Sequence, residues 1–212
     1  MRSVLLLGAT GLVGRELLSL LLDDTDVSRV VVLARRASGA RHAKLEERVV
    51  DLDRMDEHQD AFGVDQIFCA LGTTIKVAGS QERFRVVDHD YPLAAARLGK
   101  AQGATHYLLV SAMGANAHSR IFYNRVKGEV ENDVIALQYQ ATTIARPSLL
   151  LGNRDEVRTG ERIAAKLAWL TPSKYKPIEA SDVANAMVRL SKEHQRGVKV
   201  VESRELRVSY AR

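Results

Sequence analysis

The sequence predicts an α/β protein: one doubly wound parallel sheet of about seven strands, with helices on both faces. Three observations predict it. Short runs apolar on both faces alternate with segments of helical periodicity. The first run feeds into glycines spaced Gly8-x-x-Gly11-x-x-Gly14 and then into a helix. The 212 residues contain no internal repeat, low-complexity stretch or Pro/Gly-rich linker, so 1–212 reads as a single domain.

The strands are expected in order at Ser3–Leu7, Arg29–Ala34, Glu47–Val50, Gln66–Cys69, His106–Ser111, Thr142–Ala145 and Val198–Val201. Helices are expected between them at Leu12–Leu22, Asp53–Ala61, Gln81–Gln102, Ile121–Leu137, Gly160–Leu170 and Asp182–Lys192. The four prolines stay outside strand and helix interiors. Ser181 has the chemistry of an N-cap for the last helix, whose Val183, Ala186, Met187 and Leu190 repeat at helical spacing.

Composition excludes several classes. One cysteine, Cys69, rules out a disulfide framework and a thiolate metal site within one chain. The six histidines form no ligand-spaced cluster, so no metal is expected. The net charge of +5 comes without a basic run interleaved with aromatics, so no nucleic acid is expected. A solvated basic surface and an anionic cofactor both fit that charge. Val4–Leu7 is too short for a signal peptide, and no run reaches membrane-spanning length. The expectation is a cytoplasmic protein with no membrane partner.

In a doubly wound sheet, ligands sit beyond the carboxyl ends of the strands. At the first, Gly8 lets the chain turn, Gly11 lets backbone approach a phosphate, and Gly14 lets the helix pack close. The helix N-terminus then offers N–H groups to an anion. The same glycines also suit a strand-to-helix turn with no ligand. After the second strand stand Arg35 and Arg36, where an NAD site places an acid; two guanidiniums suit the 2′-phosphate of NADP(H). A polar loop is the other reading. Asp51 suits an adenine amino group, with Leu52 beside the ring, or equally a turn cap.

Ser111 ends the fifth strand, and Tyr123 and Lys127 lie one turn apart on the next helix. They flank a stripe of Phe122, Val126, Val130 and Val134, which places them beside the core. Carbonyl reduction by hydride needs a proton donor at the oxygen. A lysine ammonium lowers a phenol's pKa toward the working range, and a serine hydroxyl donates to the developing oxyanion. The alternative is a buried tyrosine beside a snorkelling lysine.

Together these residues resemble the short-chain dehydrogenase/reductase superfamily. The likeness sharpens to an atypical branch, the Tat-interacting-protein-like oxidoreductases. It is carried by Cys69-Ala-Leu-Gly-Thr-Thr74, Phe84-Arg-Val-Val-Asp-His-Asp-Tyr91 and Tyr123-Asn-Arg-Val-Lys-Gly-Glu-Val-Glu131. Arg146-Pro147 with Leu150-Leu151, Arg154-Asp-Glu-Val-Arg158, and Gly160-Glu161 extend it. The resemblance implies a Rossmann fold, NADP(H) and reductase activity on a small carbonyl compound. It implies Gly8, Thr10, Gly11, Leu12 and Val13 at the pyrophosphate, Arg35 and Arg36 at the 2′-phosphate, and Asp51 and Leu52 at the adenine. Ala70, Leu71 and Gly72 would pass the nicotinamide ribose, with Lys127 on its hydroxyls. Pro147, Ser148 and Leu149 would back the carboxamide. Ser111, Tyr123 and Lys127 would be catalytic. The asparagine that classical members add has no match; Asp88 or His89 lies near its helix. The branch also implies regulatory binding, a nucleotide-loaded module that engages a protein partner.

Substrate-side elements are expected within about 147–180. Arg158, Arg162 and Lys166 on that segment, with Arg154, suit either an acidic substrate or a solvated face. The Gly72–Ser80 loop is the expected lid.

Overall fold

The first apolar run forms β1 (Arg2–Leu7), whose Val4, Leu5, Leu6 and Leu7 are fully buried. Burial on both faces needs a strand neighbour on each side. β2 (Val27–Ala34) pairs with it from Val4↔Val30 to Leu7↔Leu33, and β4 (Gln66–Cys69) from Val4↔Gln66 to Leu7↔Cys69. With β3 (Leu45–Val49), β5 (His106–Val110), β6 (Ala141–Arg146) and β9 (Gly197–Glu202), the order is β3-β2-β1-β4-β5-β6-β9. All six pairings are parallel. The order reverses between β1 and β4, and that switch point opens a crevice at the strand ends. The computed structural model describes residues 1–151 and 176–207. The helix expected at 160–170 and the basic positions of that segment lie outside the described residues.

Alternation along each strand builds two cores. Val4 and Leu6 join Phe68 and Leu108 beneath α1 (Leu12–Asp23) and α6 (Ala180–Lys192), which contribute Leu17, Leu21, Val183 and Met187. Leu5 and Leu7 join Ile67 and Leu109 beneath α4 (Tyr91–Ala101) and α5 (Phe122–Ala136), which contribute Ala95, Ala96, Val130 and Val134. Helices therefore cover both faces, as the periodicity predicts.

Four local expectations change. The segment expected as a helix at 53–61 is a 3₁₀ run, Leu52–Phe62, kinked at Arg54 and His58. The helix expected at 81–102 is continuous but not uniform: α3 (Gln81–Arg85) passes through a π turn (Val86–Asp90) into α4. The wider turn lets Asp88, His89 and Tyr91 all be buried. The last helix starts at Ala180 with Glu179 at its N-cap, so Ser181 lies inside the first turn, where its carbonyl accepts from Asn185. A two-stranded parallel ladder, β7 (Leu150–Leu151) with β8 (Ile178–Glu179), was not expected. A short helix α2 (Ile75–Ala78) and a final one, α7 (Ser203–Leu206), complete the described elements.

Candidate active site

The glycine loop is built as the spacing predicts. Gly8 has φ +85°, and a Cβ there would stand 2.5 Å from the Ala70 carbonyl carbon. A Cβ on Gly14 would stand 1.9 Å from the Gly8 carbonyl oxygen. The Gly11 N–H donates to that oxygen at 2.9 Å, and Gly11 is the N-cap of α1. No side chain caps α1, and its first turn carries no acid. The first N–H groups are thus left to an outside partner, and a phosphate suits them.

Beside this loop lies a cleft of about 560 Å³. The exits of four strands and one helix line it. Gly11, Leu12 and Val13 come from the first exit, and Ala70, Leu71 and Gly72 from β4. Ser111 follows β5, Pro147, Ser148 and Leu149 follow β6, and α5 contributes Tyr123 and Lys127. Gly8 and Thr10 shape the loop without lining the cleft. Arg35 and Arg36 are exposed just past β2, and neither guanidinium has a partner among the described residues. Asp51 acts as a cap, accepting the Asp53 N–H at 3.0 Å. Leu52 is buried in the core beside Val50 and Met55. A crevice of this size, with an uncapped helix end and a side-chain-free turn, fits a dinucleotide.

The π turn brings Asp88 into the site. Asp88 lines the cleft, is 1% exposed, and meets the Lys127 ammonium at 2.7 Å. Its other oxygen accepts the Thr73 N–H at 2.8 Å. His89 points elsewhere, bridging Asp90 at 2.7 Å and Asp133 at 2.9 Å. Of the two candidates near the classical asparagine position, only Asp88 is in the site.

The charge pattern corrects one expectation. Burial pushes the Tyr123 phenol up, Lys127 pulls it down, and Asp88 pushes it up again; it ends above its ordinary value. Lys127 alone was expected to lower it. Burial works against the Lys127 charge, yet Asp88 and then Tyr123 outweigh it and hold the ammonium protonated. Asp88 itself is raised by burial, which Lys127 only partly offsets.

A second correction concerns Ser111. Its hydroxyl was expected to donate to a substrate oxygen, but it donates to buried Glu131. Glu131 is gripped by Arg146, with Nη2 to Oε2 at 2.5 Å, and Arg146 also reaches Glu202 at 3.1 Å. A carboxylate in that grip only accepts. Ser148 is likewise committed: it donates to the Lys176 carbonyl at 2.6 Å and accepts from Ser203 at 2.8 Å.

Comparison with known proteins agrees with a nucleotide-binding fold. A family described as NAD(P)H-binding matches residues 8–194. Protein HTATIP2 of Rattus norvegicus is 39% identical over 82% of this chain and 73% of its own. The mitochondrial proteins FMP52 of Eremothecium gossypii and FMP52-1 of Scheffersomyces stipitis are 33% and 34% identical. They cover 96% and 98% of this chain, and 95% and 98% of their own. These relatives overturn the cytoplasmic expectation: those that align over nearly the whole chain are designated mitochondrial. Among solved structures, MoeE5 in complex with UDP-glucose and NAD superposes with TM-score 0.75 at 14% identity, over 96% of this chain and 79% of that one. The UDP-glucose 4-epimerase of Thermotoga maritima gives 0.73 at 12% identity, over 94% and 76%. At such identities the likeness is one of fold.

Proposed function

From a chain that belongs to the NAD(P)H-binding family, on the atypical short-chain dehydrogenase/reductase branch of HTATIP2, we propose an NADP(H)-dependent reductase of small carbonyl compounds. One observation carries the reading: Ser111, Tyr123 and Lys127 line the same cleft as the glycine loop.

The binding residues divide the dinucleotide between them. The N-terminus of α1 takes the pyrophosphate. Arg35 and Arg36, without partners among the described residues, take the 2′-phosphate, and this favours NADP(H) over NAD(H). When bound, the reduced nicotinamide supplies a hydride to the carbonyl carbon. Tyr123 gives its hydroxyl proton to the oxygen as the C=O π pair moves onto it. The product is the alcohol, and the phenolate left on Tyr123 recovers a proton from water. Lys127 steadies that phenolate. Ser111 joins only after releasing Glu131, because its hydroxyl has a single proton.

A second reading has its own support. The engagement of Ser111 by Glu131 also suits a nucleotide-loaded regulatory protein that binds a protein partner without turnover. Following NADPH absorbance against aldehydes, ketones and quinones separates the two. Oxidation that Tyr123→Phe lowers by 10²-fold or more, with NADPH binding intact, is the expected result. Tight NADPH binding with no oxidation of any compound would leave only the regulatory reading. NADPH should also bind more tightly than NADH; equal affinity would remove the roles of Arg35 and Arg36.

A further inference from the structure

We propose that Asp88 is a positioning residue: it holds the Lys127 ammonium, offsets part of the charge that would ionise Tyr123, and so, together with burial, keeps Tyr123 a proton donor. The site is thereby poised for reduction rather than for alcohol oxidation. The inference rests on the carbonyl-reduction reading.

Geometry comes first. Among the described residues lining the cleft, the ionisable ones are Asp88, Tyr123 and Lys127. Asp88 comes from the π turn, while Tyr123 and Lys127 come from α5. One oxygen of the Asp88 carboxylate forms an ion pair with the ammonium at 2.7 Å, and the other accepts the Thr73 N–H at 2.8 Å. Asp88 and Lys127 are 1% and 4% exposed, so water screens neither. Cys69, at the end of β4, also faces this group; burial holds its thiol neutral, and it adds no charge.

The electrostatics follow. A lone ammonium one helical turn from a phenol favours the phenolate, the form needed to take a proton from an alcohol. An ammonium with a carboxylate at contact distance acts as a dipole, whose field falls off faster with distance. Tyr123 then keeps its proton because burial dominates, in agreement with its upward shift. A protonated Tyr123 is the form that carbonyl reduction consumes. The π turn gains a purpose here, since it allows a buried carboxylate within the cleft while the flanking turns still pack on the sheet.

The test reads the phenol directly. Tyrosinate absorbance is titrated in the wild type and in Tyr123→Phe, and their difference isolates Tyr123. The same subtraction is made in an Asp88→Asn background, where the amide keeps the shape and can still accept from Thr73. The Tyr123 midpoint should fall by about one pH unit or more in Asp88→Asn, the scale of an unbalanced neighbouring charge. Asp88→Glu, which keeps the charge, should restore the wild-type titration. An unchanged or raised midpoint in Asp88→Asn overturns the proposal. If a melt shows that the amide is not tolerated, Asp88→Ser, which admits a water, carries the same expectation. In active protein, the rise of alcohol oxidation with pH should move to lower pH by the same amount. A wild type that reduces no carbonyl refutes the reductase reading alone, because the absorbance titration needs no turnover.

Discussion

Ser111, Glu131 and Arg146 form a chain in which each group has one role open to it. Arg146 only donates, the ionised Glu131 only accepts, and Ser111 gives up its one proton. Ser111 was legible from its place at a strand end. Glu131 closes the Tyr123–Glu131 motif, one turn beyond Lys127 on the same helix face. Its partnership was not legible, because it depends on β5 pairing with β6. Val110 faces Ala145 in that ladder, so Ser111, just past β5, stands beside Arg146, the last residue of β6. Register supplies this, and single-strand periodicity does not. Removing the carboxylate strands two donors. Glu131→Ala should cost about 3 kcal/mol in urea unfolding, the low end for a broken buried pair, because Arg146 keeps Glu202 and partial exposure. Ser111→Ala should cost about 1 kcal/mol, because an ionised Glu131 retains Arg146.

Strand positions were readable because apolar runs with no polar face have few alternatives in a parallel sheet. The helix over 81–101 was readable in extent but not in kind. Apolar spacing near 3.6 does not reveal one turn of i→i+5 bonding, and that turn places Asp88 in the cleft. The 3₁₀ run from Leu52 to Phe62 was missed for a related reason, since its buried Leu52, Met55, Ala61 and Phe62 match helical spacing only in part. α5 shows how one small residue sets the position of a neighbouring loop. A Cβ on Gly128 would stand 2.1 Å from the Ala117 nitrogen and 2.3 Å from the Asn116 carbonyl carbon. Both are backbone atoms of the loop between Ser111 and Tyr123, so no side-chain rotation relieves the clash. Gly128→Ala should therefore destabilise the fold by about 3 kcal/mol, the upper range for overpacking, although alanine is the better helix former. Its effect on NADPH affinity should exceed that of an exposed control such as Asn132→Ala. Thermal melts and fluorescence titration check both.

The whole sheet carries a built-in sensitivity to acid. His106 lies on β5 and is 4% exposed, with Nε2 2.8 Å from the Thr143 hydroxyl on β6. Burial, helped by the Arg2 charge, lowers its pKa to about 4 from 6.5. Below pH 6.5 the unfolded chain takes up a proton that the folded chain refuses. Stability is therefore full above that pH and falls as pH drops toward about 4. The full loss is about 3.4 kcal/mol, from a shift of about 2.5 units at 1.36 kcal/mol each. Urea midpoints measured from pH 7 to pH 4 should fall less in His106→Gln than in the wild type; parallel curves would reject this assignment. The switch point has a different consequence. Because Gly8 rests on the Ala70 backbone, the two loops flanking β1 and β4 share one van der Waals surface. They form a single part with two names. A designer who reshapes Ala70–Gly72 to accept another cofactor will move the phosphate loop as well, so the two halves of the crevice can be redesigned only together.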